Sequence, residues 1–152
     1  MIGLVNASST DLLTELPLVE WNPAWDLGIP LVDAQHRKLV GMIRSLQEDM
    51  RRPDSDAQTL LVVLFQMLDY SITHFSDEEH IFLGKGWPGE ESHQAEHEAF
   101  LQRARALLET FRNDNISLKQ ETVVWLVQWL QHHIVRSDRA FANYLASMPP
   151  ST

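Results

Sequence analysis

Apolar residues recur every three to four positions through most of the chain, which is the spacing of one face of an α-helix. The pattern predicts four helices joined by short polar or glycine-rich links. They run from Asp33 to about Arg51, from about Asp54 to Leu83, from about Glu90 to Asn113, and from an N-cap at Ser117 to about Ala146. No strand-like alternation competes with this pattern. The predicted fold is therefore all-α, an up-down-up-down antiparallel four-helix bundle.

The residues before the first predicted helix are apolar but interrupted by prolines. Pro17, Pro23 and Pro30 lie in this segment, together with Gly28. We expect residues 1–32 to form an N-terminal arm that packs on the bundle, with packing on another subunit as the alternative. Residues 33–148 would form the bundle itself, within a single domain.

Composition narrows the chemistry. A chain of 152 residues with 44% hydrophobic content is long enough for one domain with a real core. The net charge of -9 argues against nucleic acid and anionic membranes as partners. The chain lacks cysteine, so any metal must be held by His, Asp and Glu. Neither a leader peptide nor a membrane span is evident, and a soluble, cytoplasmic protein is expected.

Histidines on the apolar helix faces provide the strongest signal. There are five of them, distributed over all four predicted helices: His36, His74, His93, His97 and His133. One histidine on such a face is more often a core residue, but five that converge predict a metal site, because buried imidazoles need partners for both nitrogens.

Helical spacing selects further residues. His93 and His97 are four apart, and so are His74 and Glu78, which places each pair on one face. Glu79 is turned away by about another 100°. We therefore expect Glu78 at the site and assign Asp77, Glu79 and His80 to solvated helix surface.

These motifs together resemble the hemerythrin family, in its bacterial single-domain form. The resemblance covers the chain from about Trp21 to Tyr144. The segments that carry it are Trp25-Asp26-Leu27-Gly28-Ile29, Asp33-Ala34-Gln35-His36, His74-Phe75-Ser76-Asp77-Glu78-Glu79, His93-Gln94-Ala95-Glu96-His97 and His133-Ile134-Val135-Arg136-Ser137-Asp138. The resemblance implies a non-haem di-iron site that binds dioxygen reversibly.

Residue roles follow from the resemblance by matched position. It implies that one iron is bound by His93, His97 and His133, and the other by His36 and His74. Glu78 and Asp138 would bridge the two irons, with a solvent-derived oxo or hydroxo group as a third bridge. The ions would cycle between Fe2+ and Fe3+, and dioxygen would bind at the iron that has two histidines.

Apolar residues close to these ligands are expected to wall the oxygen site. They are Leu39, Phe75, Trp129, Leu130 and Ile134. Core packing explains them in part. The resemblance adds the exclusion of water and protons from bound oxygen.

One spacing departs from a regular helix. His133 and Asp138 are five residues apart, about 140° around an ideal helix, yet both must reach one cluster. We predict that residues 134–138 are wound wider, as a π-type bulge, or that the two side chains approach from opposite flanks.

Other functions fit the sequence less well than an oxygen carrier. Zinc-protease chemistry does not fit, because Gln94 follows His93 where that motif requires Glu. A di-iron oxidase or peroxidase would use Asp33 or Glu90 as ligands, but both lie at helix starts, where capping is the expected role. An oxygen- or redox-sensing domain that relays to a signalling partner is the main alternative. The carrier itself could deliver oxygen to an oxygen-using enzyme, as a monomer or weak oligomer.

Overall fold

The computed structural model describes residues 17–114 and 118–149 of the chain, and within these residues the secondary structure is helical. Helix α1 spans Pro30–Met50, α2 spans Ala57–Phe82, α3 spans Glu90–Asp114 and α4 spans Leu118–His132. A π-helical turn, His133–Asp138, continues α4 into α5, Arg139–Ser147. A single 3-10 turn, Pro23–Trp25, precedes α1.

The helices form the predicted bundle. Helix α1 packs against α2 and α4, and α3 packs against the same two helices, so each helix has two neighbours around a common core. Short connections make successive helices antiparallel. The predicted all-α four-helix fold is confirmed. Its core includes apolar residues from every helix that are at most 5% exposed, among them Leu46, Phe82, Phe100, Val123 and Phe141.

Most helix ends lie within three residues of the predicted positions. Helix α1 begins at Pro30, three residues before Asp33, because proline lacks an N–H and fits the first turn of a helix. Helix α2 begins at Ala57, where the Asp56 carboxylate accepts a hydrogen bond from the Thr59 N–H at 2.8 Å. The predicted N-cap Ser117 lies outside the described residues.

Asp33 connects the arm to the first helix. Its carboxylate accepts hydrogen bonds from the backbone N–H groups of Leu27 at 2.8 Å and Gly28 at 3.0 Å. Gly28 has a φ of 80°, a conformation that glycine adopts without strain. Asp33 thus fixes the approach of the chain to α1, which is a different role from capping the helix that contains it.

The described part of the arm packs along α1. The Val19 N–H donates to Gln47 Oε1 at 2.8 Å, and Gln47 Nε2 donates to the Pro17 carbonyl at 3.3 Å. Gln47 is buried, so its amide needs these partners. The boundary between arm and bundle at residues 32 and 33 stays a prediction.

Among the described residues, no helix has the length and apolar character needed to cross a membrane.

Replacing Asp33 with alanine should destabilise the fold. The change leaves two partly buried N–H groups without their acceptor, at a cost of roughly 1–3 kcal/mol. Urea unfolding should show this loss in the free energy of unfolding. Asp54→Ala, at an exposed position before α2, serves as control and should change stability by less than about 0.5 kcal/mol. Equal effects of the two substitutions would contradict the anchoring role.

Candidate metal centre

All seven residues predicted as metal ligands lie in one buried cluster inside the bundle. Each side chain is at most 2% exposed. The potential ligand atoms form two groups that share Glu78, and within each group they lie within 4.8 Å of one another. One group contains Glu78, His93, His97, His133 and Asp138; the other contains His36, His74 and Glu78.

The two oxygens of Glu78 face different groups. Oε1 lies 2.5 Å from His93 Nε2 and 3.3 Å from His97 Nε2. Oε2 lies 3.3 Å from His74 Nε2 and 3.7 Å from His36 Nε2. A carboxylate placed in this way can contribute one oxygen to each of two cations.

The two carboxylate oxygens of Asp138 also face different groups. Its Oδ1 lies 3.0 Å from Nε2 of both His93 and His133, and its Oδ2 lies 3.0 Å from Nε2 of His36. Both carboxylates therefore stand between the three-histidine group, which we define as His93, His97 and His133, and the two-histidine group, His36 and His74.

Several of these atoms lack the partners that burial requires. Within the described part of the chain, His36 Nε2, Glu78 Oε2 and both carboxylate oxygens of Asp138 make no hydrogen bond. The 3.0 Å separations around Asp138 match the spacing of neighbouring ligands on one metal, because bonds of about 2.1 Å at right angles place ligand atoms roughly 3.0 Å apart. Unpaired buried polar groups are costly, so the donor set fits a pair of cations.

The two ring nitrogens His97 Nε2 and His133 Nε2 support the same conclusion. They lie 3.1 Å apart, while Nδ1 of each ring faces a carboxylate oxygen and must carry the proton of that hydrogen bond. In the neutral rings the two Nε2 lone pairs would then face each other. Burial lowers the pKa of His133, but Asp138, Glu78 and Glu96 outweigh burial and raise that pKa well above its usual value, so either a proton on His133 or a cation between the two nitrogens would remove this repulsion.

Charge explains the acid–base behaviour of the metal-free cluster. Burial alone would lower the pKa of His36 and His93, but the facing carboxylates Asp138 and Glu78 outweigh burial and raise each pKa to about 9. Burial dominates at His74 and lowers its pKa to about 4. Without metal, protons on selected imidazoles would compensate the two buried carboxylates, and bound cations would replace those protons.

Three histidines are fixed in orientation by residues on neighbouring helices. His97 Nδ1 donates to Glu79 Oε1 at 2.8 Å, and His133 Nδ1 donates to Glu96 Oε2 at 2.9 Å. The hydrogen bond to His133 holds the pKa of Glu96 down at about 2, so its carboxylate stays ionised.

At His74, a neutral amide takes the place of the carboxylate. His74 Nδ1 lies 2.8 Å from Gln35 Oε1, and Gln35 Nε2 donates to Asp77 Oδ2 at 2.7 Å. The assignment of Asp77 and Glu79 to solvated surface was therefore wrong, because each is half-buried and hydrogen-bonded toward the site. His80 is exposed, as expected.

The sequence contains one signal for these supporting residues, which is that each is adjacent to a predicted ligand. The spacing of residues along a single helix does not detect it. Gln35, Glu79 and Glu96 each stand next to a predicted ligand, at His36, Glu78 and His97. Each supports a ligand on a neighbouring helix, which is why spacing within one helix missed them.

The irregular spacing near the end of the chain has the first of the two predicted causes, a π-type turn. Residues His133–Asp138 form a π-helical turn, and both end residues are buried against the cluster. The wider turn returns residues five apart to one face. Ser137, within this turn, donates from Oγ to the same Glu96 oxygen that accepts from His133.

Comparison with known proteins identifies the family. The sequence profile of the hemerythrin HHE cation binding domain matches residues 27–145. The chain belongs to the hemerythrin family. A bacteriohemerythrin of Stenotrophomonas maltophilia is 30% identical over 84% of this chain and 82% of its own length. A hemerythrin-like protein of Naegleria gruberi is 27% identical over 82% of this chain and 92% of its own length.

Solved structures agree on the fold. A crystal structure of wild-type hemerythrin superposes with a TM-score of 0.76, covering 86% of this chain and 100% of that chain at 23% identity. Hemerythrins bind a pair of iron ions, and the buried His, Glu and Asp cluster of this family member is compatible with such a site.

A small apolar cavity adjoins the hemerythrin-type cluster. Its volume is about 10 Å³, near the lower limit for a single water molecule. Four of the five predicted pocket residues line it, namely Leu39, Phe75, Trp129 and Leu130. The fifth, Ile134, is fully buried in the adjoining core but is not among the lining residues.

Two of the lining rings contact the imidazoles directly. Phe75 stacks on His97 with ring centroids 4.0 Å apart, and Trp129 stacks on His133 at 4.5 Å. The cavity wall therefore includes side chains that also hold two rings of the three-histidine group in place. The role of the five residues as an oxygen pocket stays a prediction.

The shared position of Glu78 predicts different effects for two substitutions. Glu78→Ala removes a potential ligand from both groups, whereas His74→Ala removes one from the two-histidine group alone. After loading with Fe(II) and gel filtration, iron analysis should find about two ions per wild-type chain, about one in His74→Ala and less than one in Glu78→Ala. Equal retention by the two variants would argue against a shared carboxylate.

Proposed function

We propose that this protein binds dioxygen reversibly at a non-haem di-iron centre and acts as an oxygen carrier or store. The observation that carries the proposal is a cluster whose two carboxylates each face both histidine groups, separated from an apolar cavity by the rings of Phe75 and Trp129. Membership of the hemerythrin family supports the same function, because oxygen binding is the role of that family.

The proposed ligand roles follow from the distances. His93, His97 and His133 would hold one iron, His36 and His74 the other, and Glu78 and Asp138 would bridge them. The pair of irons, when bound, supplies electrons to dioxygen and recovers them on its release. With fewer histidines, the second position keeps room for an external ligand.

The surrounding residues would keep the reaction reversible. Leu39, Phe75 and Leu130 present apolar side chains to the cavity and exclude water from it. Ser71 also lines the cavity, but its hydroxyl donates its hydrogen to the Met67 carbonyl at 2.8 Å. That proton is therefore directed away from the cavity, and Ser71 would supply no proton to a ligand held there.

A carrier fits the donor set better than a di-iron oxidase or peroxidase. Carboxylate-rich enzymes of the ferritin-like type would need further acids at the metals. Asp33 is instead engaged by the arm, and Glu90 belongs to neither metal group. Dioxygen is the proposed ligand, and we place the protein in the cytoplasm as a monomer or weak oligomer. Delivery to an oxygen-using enzyme or relay to a signalling partner remain the alternative uses of the same site.

An optical titration tests reversible binding. Iron-loaded protein that is deoxygenated and then exposed to air should gain a visible absorption band, and the band should disappear again when oxygen is removed. Several such cycles should retain most of the amplitude. A single irreversible change, or consumption of oxygen with product formation, would favour an enzyme.

A polar residue in the cavity wall should shorten the life of the oxygenated protein. Leu130→Asn brings a hydrogen-bond donor, and with it water, to the cavity, so autoxidation should accelerate by at least about tenfold, a barrier change of roughly 1.4 kcal/mol. Leu130→Met, which keeps an apolar side chain of similar volume, is the control and should autoxidise at nearly the wild-type rate. The decay of the visible band in air-saturated buffer gives both rates, and equal rates for all three proteins would remove Leu130 from the oxygen pocket.

A further inference from the structure

The two histidine groups differ in the hydrogen-bond partners of their outer ring nitrogens, Nδ1. In the three-histidine group, His97 and His133 each donate from Nδ1 to a carboxylate, Glu79 at 2.8 Å and Glu96 at 2.9 Å. In the two-histidine group, His74 faces the neutral amide oxygen of Gln35 at 2.8 Å. Nδ1 of His36 is buried and has no hydrogen-bond partner among the described residues, and the same holds for Nδ1 of His93 in the three-histidine group, so the contrast rests on His97 and His133 against His74.

The two histidine groups differ mainly in the charge of the groups that face their outer ring nitrogens, and less in the number of hydrogen bonds that those nitrogens make. Asp77 accepts from Gln35 Nε2 at 2.7 Å, so its negative charge reaches His74 only through the intervening amide. Among the described residues, the two acids whose carboxylates accept a hydrogen bond from the outer nitrogen of a cluster histidine, Glu79 and Glu96, both serve the three-histidine group. A carboxylate on the outer nitrogen fixes the ring tautomer and makes the inner nitrogen a stronger donor to a metal.

Glu96 has a second connection that Glu79 lacks. Its Oε2 also accepts a hydrogen bond from Ser137 Oγ at 2.5 Å. His133 begins the π-helical turn and Ser137 is next to Asp138, which ends it. A single oxygen from α3 therefore joins both ends of the turn and holds it in its wider winding, with Asp138 directed at the cluster.

We propose that Glu79 and Glu96 are positioning residues that strengthen the three-histidine group as a ligand set, so that iron retention at that position depends on two acids that do not contact iron. The proposal rests on the di-iron function proposed above and adds that the two positions are unequal for a reason beyond their number of histidines. Loss of these acids would weaken one position selectively.

Release of iron to a chelator tests this inference. Fe(II)-loaded full-length protein, kept anaerobic and mixed with excess ferrous chelator, should lose iron in two phases of similar amplitude. In Glu79→Gln and Glu96→Gln the slow phase should accelerate by about 10- to 100-fold, and the fast phase should keep its rate. Glutamine retains an acceptor oxygen and removes the charge, which reproduces the arrangement that Gln35 already provides at His74.

The matched control is Glu98→Gln. Glu98 is an exposed glutamate on the same helix, and its hydrogen-bond partner is Gln102 rather than a histidine. The substitution removes the same charge from α3, so it should leave both phases unchanged. Acceleration by Glu98→Gln equal to that of Glu96→Gln would reduce the effect to general surface charge and overturn the proposal.

Diffraction from chelator-soaked crystals shows which iron position corresponds to each release phase. Iron-loaded wild-type crystals soaked briefly in chelator should lose anomalous iron signal first between His36 and His74. Earlier loss at the three-histidine position would overturn the proposal, and so would release kinetics that neither glutamine variant changes. Glu79 is 31% exposed, so Glu79→Gln provides a folded test even where Glu96→Gln disturbs the π-helical turn.

Different results would refute the di-iron oxygen carrier and the positioning roles of Glu79 and Glu96. A wild-type protein that binds fewer than two irons would overturn the di-iron function before any variant is compared. Protein that holds two irons and shows two release phases, but without reversible oxygen bands, would overturn the carrier and leave the roles of Glu79 and Glu96 supported or refuted by the kinetics alone.

Discussion

Two carboxylates buried among five imidazoles are the feature on which the rest of this structure depends. Glu78 and Asp138 are inaccessible to water, and their oxygens face ring nitrogens at distances and angles that leave several of them without hydrogen bonds. Negative charge in such an interior needs nearby positive charge, from protons in the metal-free protein or from cations. Helices α1, α2 and α3 and the π-helical turn after α4 all contribute to this cluster, so its charge balance and the packing of the fold are linked.

The π-helical turn is a consequence of that requirement. A regular helix would direct Asp138 away from the cluster once His133 faced it. The wider turn brings both to the same side, and the hydrogen bonds to Glu96 from His133 and Ser137 connect it to α3. The local cost of irregular winding is thus offset by contacts between helices, as is common for such turns at functional sites.

Core and site share residues along the cavity. Phe75 and Trp129 belong to the apolar core and also stack on His97 and His133. Substitutions of these two rings would change stability and ligand orientation together, which makes them poor probes of oxygen binding. Leu130 lines the same cavity without such a stack on a ligand, and its substitution separates the two effects better.

The sequence pattern was sufficient for the fold class, the approximate helices, the five histidines and Glu78, and Asp138 was added by the family resemblance. Helical periodicity places residues three and four apart on one face, so His74 with Glu78 and His93 with His97 could be paired without coordinates. Even the wider turn was predictable, because a five-residue spacing conflicts with a regular helix. Only the tertiary structure decided which residues accept hydrogen bonds from the outer nitrogens of the ligand histidines. Gln35, Glu79 and Glu96 act across helix boundaries, and the rotation and axial offset of one helix against another are set by packing of the whole core. Periodicity within a helix carries no information about that offset, which is why Glu79 was assigned to solvent from the sequence and lies against His97 in the folded protein.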